Sequence, residues 1–373
     1  MNAPMKHRVD QRGFTLIEVM ISTVVALFAT LAIMQSFAVS EGFRRTATSG
    51  GDATFSGAVA TYLLGRDLQM AGYGVNTAAY LGCTVSGFDG TLTQPISFTL
   101  APAQITAGAG SNPDSITVVS SNSGWLPAPI TLTTSMASAT DNYLINNPFG
   151  VTAGDVLVLA QSGNNACTLV QATNTPTTGV PGSQNTVKHT SGTYQTQGGA
   201  TVAARYNPSG GIGQAYAAGS VLMDLGAQPT VNTYFIQNNA LMVTQGVTAP
   251  GQPAQPVAAN IVQLKAFYGK DSSPATGAIA SWDATAPTTA SGWAAVLAIR
   301  VAMVARSAQP ERVDPTTGNC SATTASPKVT WDDGTQTQLD LSATAPSGPA
   351  WQCYRYKVFH MTASLRNSIW TPS

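Results

Sequence analysis

Gly13, Phe14 and Glu18 are the residues of this chain whose types and spacing most clearly set up a reaction. The segment Arg12-Gly13-Phe14-Thr15-Leu16-Ile17-Glu18-Val19-Met20 runs from a short basic leader through a glycine into an apolar stretch that carries one carboxylate. Cutting the peptide bond after Gly13 would free the α-amino group of Phe14, one helical turn from the Glu18 side chain. An amine and a carboxylate at that offset can neutralise each other. An ionised side chain at bilayer depth costs about 2.5–3.5 kcal/mol on insertion scales, so an acid placed there needs a partner and marks a function.

The element that must position these residues is the apolar run from Phe14 to Val39, which holds no other charged residue. As a helix it would extend about 39 Å, enough to cross a hydrocarbon core of about 30 Å with some tilt. Lys6, Arg8 and Arg12 stand against Asp10 in the leader. By the positive-inside rule they keep the N-terminus in the cytoplasm and send everything after about residue 40 across the membrane. Two plainer interpretations compete. One is a secretory signal peptide, for which Ala38-Val39-Ser40 offers small residues at the cleavage spacing; the other is a simple signal anchor. The run is long for a signal peptide's apolar region, and neither gives Glu18 a task.

Residues that carry enzymatic chemistry are sparse. Of three histidines, His7 lies in the leader, and His189 and His360 are far apart, the second in an alternating stretch that suits a surface or edge position. No serine sits in a GxSxG elbow, no HExxH occurs, and Gly269-Lys270 lacks the glycine-rich loop of a phosphate cradle. Asp332-Asp333 suits a solvated turn better than a catalytic pair. Asp271 opens a loop in which calcium can be imagined, but Ser272, Ser273 and Pro274 follow it and supply too few acidic oxygens. The sequence therefore predicts no enzyme, no cofactor and no metal.

Cys83, Cys167, Cys320 and Cys353 all follow the apolar segment. An even number of cysteines in a translocated domain points to disulfides formed in an oxidising compartment. Their sequence positions allow three connectivities. Cys83–Cys167 with Cys320–Cys353 is favoured, because each pair keeps its loop within one half of the chain. No CxxC occurs, which argues against a zinc or thioredoxin-type centre. Charged residues make up only 9% of the chain, and the formal net charge is zero. Without the leader it becomes about −2, from 14 basic against 16 acidic residues, which excludes a generally basic nucleic-acid binder.

Helical spacing continues from Phe43 to about Gly72, with Phe55, Val59, Tyr62, Leu63 and Met70 recurring at three- and four-residue steps. That face is expected to pack on a following sheet. Gly42, Gly50, Gly51, Gly57 and Gly65 interrupt the pattern, each costing up to about 1 kcal/mol relative to Ala, and predict a locally weak or kinked helix. Gly72 and Gly74 suit its C-cap. Beyond residue 75, short β-branched runs predict strands at Ser115–Ser120, Asp155–Ala160 and Cys167–Ala172. Asn232–Gln245 suits a hairpin turning at Asn238-Asn239.

Trp293–Arg306 alternates, with Leu297, Ile299, Val301, Met303 and Ala305 on one side and Arg300 and Arg306 on the other. Tyr354–Leu365 alternates too, with Phe359, Met361, Ala363 and Leu365 inward. These segments predict one antiparallel sheet with a single buried face. Thr173–Ser220 reads as loop, and Thr248–Asn260, rich in Pro and Ala, as a joining segment. Trp282, Trp293, Trp331, Trp351 and Trp370 crowd the second half. Exposed and clustered beside Arg or Lys they would bind sugars or stack on bases; buried and scattered they would fill the core.

Gly13, Phe14 and Glu18, with Thr15, Leu16, Ile17 and Val19 around them, resemble the start of the type IV pilin-like family, whose members carry a class III signal peptide. The resemblance implies cleavage after Gly13 by a prepilin peptidase and N-methylation of Phe14. It also implies that Glu18 pairs with the terminal amine of a neighbouring subunit as a filament grows. Ile261–Asp271, a Trp-bearing loop, the strand with Arg300 and Arg306, and the closing Leu365-Arg366-Asn367 resemble the PilW-like minor pilins. The stretch from about Leu92 to Ser220 carries no such feature.

The resemblance implies an α+β pilin fold, a long N-terminal transmembrane and amphipathic helix packed on an antiparallel β-sheet head with large loop insertions. The expected domains are a cleaved leader at 1–13, the helix at 14–72 with its transmembrane part at 14–39, and a β-rich head at 73–373. The implied function is a low-abundance structural subunit of a complex that primes pilus assembly at the filament tip. Its implied partners are the prepilin peptidase, other minor pilins, the major pilin and the inner membrane, with no nucleic acid and no small-molecule substrate. The chain would cross the inner membrane once, head in the periplasm, and end in the extracellular pilus. The minor pseudopilin J of type II secretion shares the leader, the long helix and a large β-rich head. A tip-displayed adhesin or binding module is a third possibility.

Overall fold

Leu16–Met70 forms one α-helix, α1, without interruption at any of its glycines. The computed structural model describes residues 13–369 apart from 76, 125–129, 164, 178–184, 273–274, 312, 315, 321 and 343–349. The leader residues 1–12, Ser273, Pro274 and Trp370 thus lie outside the described residues. The chain divides into a first unit, Met1–Gly51, and a second, Asp52–Ser373.

In the first unit, Leu16–Arg44 is long and apolar enough to cross a membrane, and none of its most apolar window is buried. In the second unit, the rest of α1 turns a stripe of Ala53, Ala60, Leu64, Leu68 and Ala71 into the core. This corrects the expected packing face. Phe55 and Tyr62 are 72% and 70% exposed, and Met70 is exposed too. The cause is a close approach between helix and sheet. A Cβ at Gly57 would fall into the Phe359 ring, and one at Gly65 would lie 3.1 Å from the Met361 sulfur. The two glycines expected to weaken the helix are instead what lets the sheet come near.

Three large sheets, with three two-stranded ones beside them among the described residues, build the second unit. A four-stranded antiparallel sheet runs Ile279–Asp283, Ile261–Asp271, Val296–Arg306, Tyr356–Ser364. A five-stranded one runs Gln255–Ala259, Ala240–Gln245, Thr230–Gln237, Ser115–Ser120, Ala103–Thr106. The six-stranded sheet holds Val156–Ala160 and Ala166–Gln171 at its centre, and Thr84–Gly87 pairs with the latter in parallel. The architecture is α+β, a long apolar N-terminal helix followed by a large, mostly antiparallel β head.

The hairpin at Thr230–Gln245 turns where expected, because Asn238 and Asn239 hold φ of 51° and 58°, the left-handed pair that a tight two-residue hairpin turn demands. Four expectations need correction. Trp293 belongs to a short helix, Ala290–Ala294, whose N-cap Thr289 accepts from the Gly292 amide, and the strand begins only at Val296. The four-stranded sheet is buried on both faces, not one. Ile299, Val301 and Met303 enter the main core, while Ala302 and Val304 pack under Val329, Trp331, Leu339 and Leu341 from the excursion between residues 306 and 356.

Thr173–Ser220 is more than loop. It contributes the strands Thr186–Val187, Thr193–Gln195 and Thr201–Ala203, and sends Ile212 and Tyr216 into a separate core with Tyr143, Leu157 and Leu159. Thr248–Asn260 is no boundary, because Gln255–Ala259 pairs with Ala240–Gln245 inside the five-stranded sheet.

Two disulfides staple the head. Cys83–Cys167 sits at the end of the parallel pair, with Cα atoms 5.9 Å apart, and Cys320–Cys353 closes part of the 306–356 excursion at 4.7 Å. They span 84 and 33 residues. In the chain-entropy account such loops stabilise by about 4–5 and 3–4 kcal/mol.

Candidate functional site

At the start of α1, Thr15 and Glu18 cap the helix reciprocally. Glu18 Oε2 accepts from the Thr15 amide and from its hydroxyl, both at 2.9 Å, and the Glu18 amide donates to Thr15 Oγ1 at 3.3 Å. This is a capping box, which satisfies donors that a helix N-terminus leaves open and sets a carboxylate where the helix dipole is positive. The Thr15-x-x-Glu18 spacing was present in the sequence, but Glu18 was weighed only as a membrane-embedded charge. The bonds engage Oε2 alone, so Oε1 remains able to accept an amine. Phe14 precedes the helix and is 88% exposed, and nothing lies within 4 Å of a Cβ built on Gly13. Among the described residues nothing covers the Gly13–Phe14 bond, which lies just ahead of the capping carboxylate.

The far end of α1 is closed by the end of the chain. Asn367 Nδ2 donates to the carbonyls of Met70 and Ala71 at 3.2 and 3.1 Å. Asp67 accepts from the Tyr234 hydroxyl at 2.5 Å and from Asn232 Nδ2 at 3.1 Å, which ties the helix to the five-stranded sheet. The terminal Arg366-Asn367 thus has a structural task that its sequence alone did not disclose. On its outward side the helix presents Phe55, Tyr62 and Met70, large apolar groups that the head does not cover.

Among the described residues the tryptophans form no exposed binding platform. Trp293 and Trp331 are buried, and Trp282 and Trp351 are half-buried. The cation beside them is the chain's own. The Arg300 guanidinium lies 4.5 Å from the Trp331 ring, 4.8 Å from Trp282 and 5.1 Å from Phe267, and Nη1 donates to Asp333 at 2.9 Å. Arg300 thereby pins the covering hairpin, Lys328–Thr330 with Gln336–Gln338, over the sheet. Asp333 is held below the usual carboxylate range by the side chain and amide of Thr335, with Arg300 adding to it.

Asp271 is consumed by its own loop. It accepts from the amides of Thr276, Gly277 and Ser272 and from the Thr276 hydroxyl, which brings its pKa to about 2. His189 is buried and stacked on Tyr143 at 4.4 Å, and burial lowers its pKa. His360 stands exposed on the edge strand Tyr356–Ser364, its ring edge-on to Trp331. Among the described residues no group of three His, Cys, Asp or Glu could hold a metal. Sequence reasoning missed the buried Asp155 and Asp224, which end neighbouring strands. Burial, and then the charge of Asp155, push Asp224 up to about 6.

Residues 8–34 match the family model described as the prokaryotic N-terminal methylation motif, so the chain begins like a type IV prepilin. Residues 231–367 match the model described as type IV pilus-assembly protein W. The chain is therefore similar to PilW-like type IV pilins in these two stretches, with residues 35–230 outside both matches. No curated protein and no solved structure matches it. The matched families are structural pilus components rather than enzymes. The W-type match holds the strands that pack on α1 and the Asn367 that caps it. The methylation-motif match and the apolar helix fit inner-membrane anchoring.

Proposed function

We infer that this chain is a minor pilin, a structural subunit of the complex that primes type IV pilus assembly at the filament tip. It is made as a prepilin, inserted with its leader in the cytoplasm and its head in the periplasm, cut after Gly13 by the prepilin peptidase, and methylated at Phe14. In the bilayer, Glu18 leaves its capping box in part, and its carboxylate neutralises the terminal amine of a neighbouring minor or major pilin. A buried charge without a partner is strongly penalised, so this pair acts as a check on register more than as a net adhesive. The exposed faces of α1 then pack against helices of other subunits.

The observation that carries the proposal is the Gly13-Phe14 bond lying open beside the Thr15–Glu18 capping box, at the head of an uncovered apolar helix. The sister machine, type II secretion, would use the same terminus. The W-type match favours the pilus. The test is the variant Glu18→Ala in the native cell, followed by immunoblotting of sheared filaments. Incorporation is expected to fall by at least about tenfold, the effect of roughly 1.4 kcal/mol, while the head melts as before. Normal incorporation would contradict the mechanism, and deletion that abolishes protein secretion but spares pili would reassign the machine.

A further inference from the structure

The head holds a groove of about 690 Å³ at the junction of the five-stranded sheet with the small hairpin Thr193–Gln195/Thr201–Ala203, within the range of small-ligand sites. Gln171, Tyr194 and Arg205 reach it from outside both family-matched stretches, whereas Asn232 and Gln245 reach it from inside the W-type match. We propose that this groove binds a short neutral oligosaccharide.

Charge, lining and rigidity point the same way. The charged residue in the lining is Arg205, and its charge is already matched. Its Nε donates to both Asp89 oxygens at 3.0 Å, Nη2 lies 2.8 Å from the buried Asp89, and Nη1 donates to the Thr248 carbonyl at 3.1 Å. A groove whose cation is paired offers no excess attraction to a phosphate or a sialic acid, and it presents no open carboxylate to a cation. Apolar lining is confined to small groups such as Val202 and Ala227, too little for an acyl chain. What remains is a wall of amides and hydroxyls with tyrosine rings, the inventory that matches a ligand whose hydroxyls both donate and accept.

The floor is preorganised. Gln171 Nε2 donates to the Gly154 carbonyl and to the Tyr194 hydroxyl at 3.2 and 3.3 Å, while its Oε1 accepts from the Arg205 amide at 2.9 Å. A floor already locked by its own bonds spends little ordering entropy on a ligand. At the rim, the exposed Gln228 side chain and the Gln245 amide nitrogen have no partner among the described residues and are free to donate.

The proposal does not depend on which machine the chain serves. Its test uses the full chain in lipid nanodiscs, so that no glycosidic detergent competes. Maltotriose, chitotriose and N-acetyllactosamine are titrated by calorimetry, beside a sialylated trisaccharide and an unstructured Gly/Ser peptide. At least one neutral sugar is expected to bind. The double variant Gln228→Ala, Gln245→Ala, both at exposed positions, is expected to weaken it by at least about tenfold, with unchanged melting. Lys188→Ala, away from the groove, should leave it alone. No binding of any neutral sugar at about 10 mM, far above even a weak dissociation constant, would overturn the proposal. So would binding of the sialylated sugar or the peptide alone, or a double variant that binds like the wild type.

Discussion

At the scale of single residues, several acids of this chain are held by their own turns. Asp271, Asp333 and Glu18 each accept bonds from amides or hydroxyls within five residues. Asp224 has a measurable consequence. Its folded pKa of about 6 exceeds the ordinary 3.8, because burial, then the charge of Asp155, disfavours its ionised form. A raised acid makes the folded state bind the proton more tightly. The penalty is absent below about pH 4 and complete above about pH 6. His189 works the other way, since its lowered pKa removes stability as the pH falls below the ordinary 6.5. The comparison must therefore be with a variant. Asp224→Asn keeps an oxygen acceptor for the Gly226 amide, and its Nδ2 can donate to the Ser123 hydroxyl where Asp224 Oδ2 accepted from it. It is expected to stabilise the head at pH 7.5 by up to about 3 kcal/mol and at pH 4.5 by only about 1 kcal/mol. Thermal unfolding of both proteins across that range is the check, and a difference that does not vary with pH would remove the account.

At the scale of elements, the helix–sheet seam decides what the sequence disclosed. The strand at Ser115–Ser120 and the Asn238-Asn239 hairpin were legible, because β-branched runs and turn chemistry are local. The buried face of α1 was not. The first part of its contact stripe is made of Ala53, Gly57 and Ala60, small residues with a weak apolar signal, and only Leu64 and Leu68 follow, while the conspicuous Phe55 and Tyr62 face outward. Likewise the Arg300 side of its strand reads as solvent-facing, and only the distant Trp331 and Asp333 show why it is buried. Glycine therefore has opposite values along one helix. Gly51→Ala, with nothing within 4 Å, is expected to be neutral or to stabilise by up to about 1 kcal/mol. Gly57→Ala drives a methyl into Phe359 and is expected to destabilise by about 1–3 kcal/mol despite better helix propensity. Melting curves that rank the two alike would contradict a seam built on close approach.

At the scale of the whole molecule, two family-like stretches bracket a long segment of the chain's own. The N-terminal motif was legible because it combines a cleavage residue, a free amine and a carboxylate at fixed offsets. The pairing within the segment from 92 to 220 was not, because its strands find partners far along the chain, as where Val221 pairs with Ala160 and Thr131. That segment also supplies seven of the fourteen residues that line the neutral groove.

The account rests on the Gly13-Phe14 bond. The most direct measurement is the intact mass and N-terminal peptide of the protein purified from its native membrane. Prepilin processing predicts a chain that starts at methylated Phe14. A start near Glu41, or an uncut Met1, would contradict it and would return Glu18 to the plain role of a helix cap.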